Sequence, residues 1–150
     1  MTARTRVAAP AAAAAVLLAA GAAFAEPSDY FIVHALDQDI AQAAGMLREH
    51  TEASDEWLFL AESPLAGGEI IAHKICYLGI TEDLLTAPRH IAAMMPCGHI
   101  AFYEEDGQAT LSMLDLDFMT ALEDDPHLES AAQAGNPAFA AMVSEVLGVE

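Results

Sequence analysis

Apolar residues recur along the chain with two rhythms, one of period two and one near 3.6, and their order gives the expected elements. Tyr30, Phe31, Ile32 and Val33 open an aromatic and β-branched run over 30–36 that reads as a first strand. Ile40, Ala43, Ala44 and Leu47 fall on one stripe of a helix, with Asp37 or Asp39 placed to cap it and Gln42, Arg48 and Glu49 off the stripe. The pattern weakens after His50, where Thr51 and Ser54 compete with the backbone for hydrogen bonds, so the helix is expected to fray there. Residues 56–61 read as a second strand, and 63–68 as a loop because of Pro64, Gly67 and Gly68. A longer strand follows over 69–78. Strict alternation puts Ile70, Ala72, Lys74, Cys76 and Leu78 on one face and Ile71, His73, Ile75 and Tyr77 on the other.

Thr81 is placed to cap a helix whose first turn carries Glu82 and Asp83, where the helix dipole favours acids. Pro88 interrupts that helix, 89–95 forms another turn, and Pro96 ends it. Residues 99–104 form a strand, Asp106-Gly107 gives a hairpin turn, and 108–114 return. Asp117 is expected to cap a short helix over 118–122, with the acidic segment 123–126 as a loop. Asn136-Pro137 is expected to start the last helix, proline occupying the first helical position, with Phe139, Met142, Val143, Val146 and Leu147 as its buried stripe. Strand, helix, strands, helix, hairpin and helices in this order predict an α+β fold. The expected architecture is a small mixed or antiparallel sheet of about five strands with helices packed on one face.

The first 25 residues stand apart. Arg4 and Arg6 precede a nearly unbroken apolar run over 7–20, and Ala23-Phe24-Ala25 gives a small-x-small cleavage site. Residues 1–25 are therefore expected to be a cleaved secretory leader directing the chain to the periplasm of a Gram-negative bacterium, with 26–150 a single domain. No cysteine follows the cleavage site, which argues against a lipid-anchored form, and no stable membrane insertion is expected after cleavage. The formal charge is −18, and beyond residue 25 all 23 acids are set against Arg48, Lys74 and Arg89 alone. Such a surface repels phosphate backbones, which argues against nucleic acid and anionic membranes and leaves a basic periplasmic protein as a fitting partner.

Candidate chemistry gathers between residues 71 and 113, which hold Cys76, Cys97, His73, His90, His99, Met94 and Met95. Two cysteines of an exported domain pair most often as a disulfide, and a loop of this length gives about 3 kcal/mol in the chain-entropy view. Cys76 lies near the end of one strand and Cys97 just before the next. They meet if those strands are antiparallel neighbours, and lie at opposite ends of the sheet if the intervening helix makes a parallel crossover. The competing reading is a soft or borderline metal site, a Cu or Zn ion held by Cys76, Cys97, His99 and His73, although the spacing matches no established zinc signature. His34 reads as a core or edge histidine. There is no C-x-x-C, no C-x-x-C-H, no P-loop, no G-x-G-x-x-G and no calcium loop.

Several of these features recur together in a known family. The strand running into Ile75-Cys76, the acid-headed helix, Met95-Pro96-Cys97 leading into Ile100-Ala101-Phe102-Tyr103-Glu104, the Asp106-Gly107 turn and the terminal Asn136-Pro137-Ala138-Phe139 segment resemble the bacterial domain-of-unknown-function 302 family. Where some members continue after the first cysteine with Asn-Pro, this chain has Tyr77-Leu78. The resemblance implies a small α+β domain and a homodimer, and it implies no activity. The expected function is thus that of a binding or accessory protein rather than an enzyme, with Cys76 and Cys97 as a disulfide or as thiolate ligands and the histidines beside them. The enzyme alternative is a thiol–disulfide or sulfur-transfer protein with Cys97 as nucleophile and Cys76 as resolving thiol.

Overall fold

In the computed structural model, residues 29–94 and 97–149 are described. The expected leader, the role of Met95 and the helix stop at Pro96 lie outside them. Five strands form one sheet in the order β1-β5-β4-β3-β2: β1 (Phe31–Ala35), β2 (Trp57–Leu65), β3 (Ile70–Tyr77), β4 (Gly98–Glu105) and β5 (Gln108–Leu114). Every neighbouring pair is antiparallel. The helices are α1 (Ile40–Ala53), α2 (Thr81–Thr86), α3 (Phe118–Leu122) and α4 (Pro126–Leu147). The expected α+β class holds, with the sheet wholly antiparallel.

The alternation read from β3 is realised. His73 and Ile75 are buried toward the helices with Ile100 and Phe102 of β4 and Leu111 and Met113 of β5. Helices α1 and α4 cover this face: α1 supplies Ala43, Ala44 and Leu47, and α4 supplies Leu128, Ala131, Phe139, Met142, Val143 and Leu147. No helix among the described residues is long and apolar enough to cross a membrane.

Local chemistry explains both agreements and departures. Asp39 caps α1 by accepting from the Gln42 amide at 2.8 Å. The helix does not fray at His50. Thr51 is buried, and its Oγ1 donates to the carbonyls of Leu47 and Arg48, so its hydroxyl is satisfied inside the helix instead of competing with it. Strand β2 runs through Pro64 to Leu65, beyond the expected loop start. It is an edge strand, so proline removes no ladder hydrogen bond that the sheet needs. The turn that follows takes positive φ at Ala66, Gly67 and Gly68. At the β4–β5 turn both Asp106 and Gly107 have positive φ, the geometry that matches strand twist in a two-residue hairpin.

Two expected caps are replaced. Thr81 is the first helical residue of α2 instead of its cap. Ahead of α3 it is Asp115, not Asp117, whose carboxylate accepts a backbone amide, that of Asp117 at 2.8 Å. The largest correction concerns α4, which starts at Pro126 and not at Pro137. Asp125 caps it by accepting from the His127 amide at 2.9 Å, and Pro126 occupies the first turn. Pro137 sits inside the helix. Its neighbour Asn136 accepts from the Leu116 amide at 2.8 Å and donates to Asp115 at 2.7 Å, tying the helix to the chain leaving β5.

Gly98 sets how closely α4 approaches the sheet. A Cβ there would run into the ring of Phe139, which is itself buried edge-on against Trp57 at 4.9 Å. Gly98→Ala is expected to destabilise the fold by about 1–3 kcal/mol, the range typical of overpacking, read as a lowered urea midpoint with an unchanged slope.

Candidate functional site

The β3–β4 ladder positions the chemistry-bearing residues. Its register runs from Ile70↔Tyr103 through Lys74↔His99 to Ile75↔Gly98. One further step sets Cys76 opposite Cys97, whose Cα atoms lie 4.6 Å apart and whose sulfurs form a disulfide. That separation matches the closer, non-hydrogen-bonded kind of antiparallel pair and lies within disulfide reach. The antiparallel alternative read from the sequence is therefore the one the sheet adopts. The bridge spans a sequence separation of 21 and brackets α2 and the 3₁₀ turns on either side of it.

Lys74 and His99 form the adjacent rung on the same, outward face. Lys74 Nζ lies 2.9 Å from His99 Nε2, so the ammonium donates to a neutral imidazole. Burial holds both pKa values below their ordinary range, and for His99 the Lys74 charge adds to the effect. The outward face thus carries a compact block, a disulfide beside a lysine–histidine pair. Around it lie Phe31, Ala72, Ala101, Ser112 and Leu114, which with His99 line a shallow hollow of about 220 Å³.

His73 is placed elsewhere. Its ring lies on the helix-covered side, between the edges of Phe59 and Phe102 at 5.1 Å each. Nε2–H donates to Glu62 Oε2 at 3.0 Å, and Arg48 Nη1 reaches the same oxygen at 3.2 Å. The His73 Nδ1 is buried without a hydrogen-bond partner among the described residues. A proton there would sit as an unpaired charge in apolar surroundings, so burial lowers the His73 pKa while Glu62 opposes the shift in part.

Of the residues expected to act together, the sheet brings Cys76, Cys97 and His99 to one face and puts His73 behind them. His90 is remote, paired with Glu123 at 2.9 Å, and Met94 packs against the core. Among the described residues no three His, Cys, Asp or Glu converge so as to hold a metal ion. Sequence reading passed over Lys74 as a site residue. The signal was its parity, since it alternates in step with Cys76 and interrupts an otherwise apolar row with the chain's one lysine. The Arg48–Glu62–His73 chain, which joins α1, β2 and β3, had no local signal.

An antiparallel α+β sheet, with the helices of the described residues gathered on one face and a cysteine pair at the end of the β3–β4 ladder, defines the class of protein. The sequence profile described as "Domain of unknown function DUF302" matches residues 72–146, and the chain belongs to that family. No curated protein matches the chain. Among solved structures it is similar to the "uncharacterized conserved protein DUF302 from Bacillus stearothermophilus", at 13% identity and TM-score 0.68, covering 79% of this chain and 99% of that one. That likeness is one of fold.

The two depressed histidines set a sign for acid behaviour. For His73 and His99 the folded pKa lies below the unfolded value of about 6.5, so the unfolded chain takes up more protons as pH falls through that value. Their stabilisation is complete above that pH and is lost progressively below it. Unfolding free energy is expected to drop between neutral and mildly acid pH, and His73→Phe should flatten part of that slope in urea titrations repeated across the range.

Proposed function

We propose that this chain is an exported periplasmic accessory protein that works by binding rather than by turnover. Its working surface is the sheet face around Cys76–Cys97, Lys74 and His99, which no helix among the described residues covers. The observation that carries the reading is the one-sidedness of the sheet. The helices bury one face, while the other presents the disulfide, the lysine–histidine pair and an apolar field to whatever comes against it. The apolar run over 7–20 and Ala23-Phe24-Ala25 support export, and an oxidising compartment suits the cysteine pair. In this reading the disulfide is structural. It closes the ladder of the working face and contributes about 3 kcal/mol through loop closure.

A second reading has one specific observation in its favour. Lys74 and His99 stand two residues from Cys76 and Cys97 on the same face, where a nearby cation stabilises a thiolate. In the reduced protein, the Cys97 thiolate would attack a substrate disulfide and displace one substrate sulfur as thiolate. Cys76 would then displace the other, so that the substrate is reduced as the Cys76–Cys97 bond forms. A Cu or Zn ion on Cys76, Cys97 and His99 likewise belongs to the reduced state alone, since oxidised sulfurs are committed to each other.

Intact mass and thiol counting on the full chain expressed with export distinguish these readings. The expected result is a periplasmic protein beginning at Glu26, two hydrogens lighter than its reduced form and without free thiols. It should also resist a glutathione buffer. Ready reduction with an acid-shifted Cys97 thiol would favour exchange chemistry. Two free thiols with a native mass excess equal to a metal ion would favour the metal site, and a cytoplasmic chain retaining residues 1–25 would sink the export reading.

A further inference from the structure

Strand parity sends two aromatic rings of the β2–β3 pair to the helix side. Trp57 and Tyr77 stand opposite each other in register, one step from the outward pair Leu58 and Cys76. Their ring centroids are 5.0 Å apart, with the planes tilted by 41°. Both rings are held in place by their neighbours. Phe139 of α4 meets Trp57 edge-on at 4.9 Å. Tyr77 lies so close over Gly79 that a Cβ there would come within 2.5 Å of its ring. Glycine at position 79 therefore makes room for the tyrosine where a side chain would displace it.

These rings floor a cleft of about 370 Å³ between the last turn of α1 and the C-terminal half of α4. Pockets of this size take small ligands. The walls are negative. Glu56, just ahead of β2, and Glu145 of α4 both line the cleft. Neither carboxylate has an ion-pair partner among the described residues. His50 and Ser54 on its border mark the C-terminal end of α1, where the helix dipole is negative. Among the described residues no lysine or arginine lines the cleft.

Aromatic rings beside carboxylates favour one kind of ligand. A bare metal ion needs several donors converging on a point, and among the described residues no three His, Cys, Asp or Glu meet in that way. An organic ammonium ion spreads its charge over a larger surface, so an aromatic ring serves it as one wall and a carboxylate as another. The formal charge of −18 raises the local concentration of any such cation. We propose that the cleft floored by Trp57 and Tyr77 binds a small organic ammonium ion, with Glu56 and Glu145 balancing its charge. The site lies on the helix side of the sheet, apart from the Cys76–Cys97 face, and stands or falls independently of that surface.

The experiment titrates the purified full chain, disulfide intact, with choline chloride. Trp57 is the chain's one tryptophan, so its emission reports on this cleft. Saturation transfer from the protein to the choline methyl protons gives a second readout. The expected result is a saturable response in both, absent with dimethylbutanol, the uncharged carbon isostere of choline, and with sodium chloride at equal ionic strength. Tyr77→Leu should weaken binding by about two- to thirty-fold, the range of a cation–π contact. Glu145→Gln should weaken it by about two- to five-fold, as expected for an exposed charge. Glu105→Gln, which removes the same charge at the β4–β5 turn, should leave binding unchanged. If Tyr77→Leu lacks a native circular dichroism spectrum, Glu145→Gln carries the test alone. No response in either readout, or an equal response to dimethylbutanol or sodium chloride, would overturn the proposal. Binding left unweakened by a folded site variant, or weakened as much by Glu105→Gln, would overturn it as well.

Discussion

Antiparallel pairing of β3 with β4 is the constraint from which the rest of the arrangement follows. One register puts Ile75 beside Gly98, which in turn decides what stands opposite each neighbouring residue. Cys76 faces Cys97, Lys74 faces His99, and His73 is turned through the sheet to the far side. A slip of a single residue would exchange the two faces, burying Lys74 and exposing Ile75. The disulfide and the fit of Gly98 beneath Phe139 both resist that slip, one covalently and one by close packing.

The same ladder separates two kinds of histidine. His73 is wedged among aromatic rings with a carboxylate on one nitrogen, and its role is confined to the interior. His99 stands at a half-buried position against an ammonium group, on the outward face of the sheet. Both are held toward the neutral form by burial, yet the environments differ in kind. His73 lacks a second hydrogen-bond partner among the described residues, whereas His99 has a cation as its neighbour. Proximity in sequence had suggested a common role for them, and strand parity divides them.

How much of this was legible in the sequence can be judged element by element. Period-two alternation sorted β3 into its two faces, Asp106-Gly107 marked the hairpin, and the Ile40–Leu47 stripe with Asp39 marked α1, because each of these is decided by near neighbours. The misreadings were those decided at a distance. Pro64 stays within a strand because β2 happens to lie at the sheet edge, which nothing near Pro64 announces. Pro137 reads locally as a helix start because Asn-Pro has that meaning among near neighbours. The helix runs through it, packed chiefly against α1, α2 and α3 and pinned by Asn136 to Leu116 and Asp115. For the site, the meeting of Cys76 with Cys97 depended on a strand order that local pattern left open. The company of Lys74 and His99 followed only once that order was known.

The bracketed segment between the two cysteines has a further consequence for the integrity of the molecule. It contains α2, whose Asp83 is tied to His127 and Ser130 of α4, and an outlying apolar tip at Leu85. Because the bridge joins its two ends, a single scission there leaves no loose fragment: the halves stay covalently joined, each still paired to the other along the ladder. The cysteine pair thus makes the continuity of the sheet independent of the continuity of the chain within that segment.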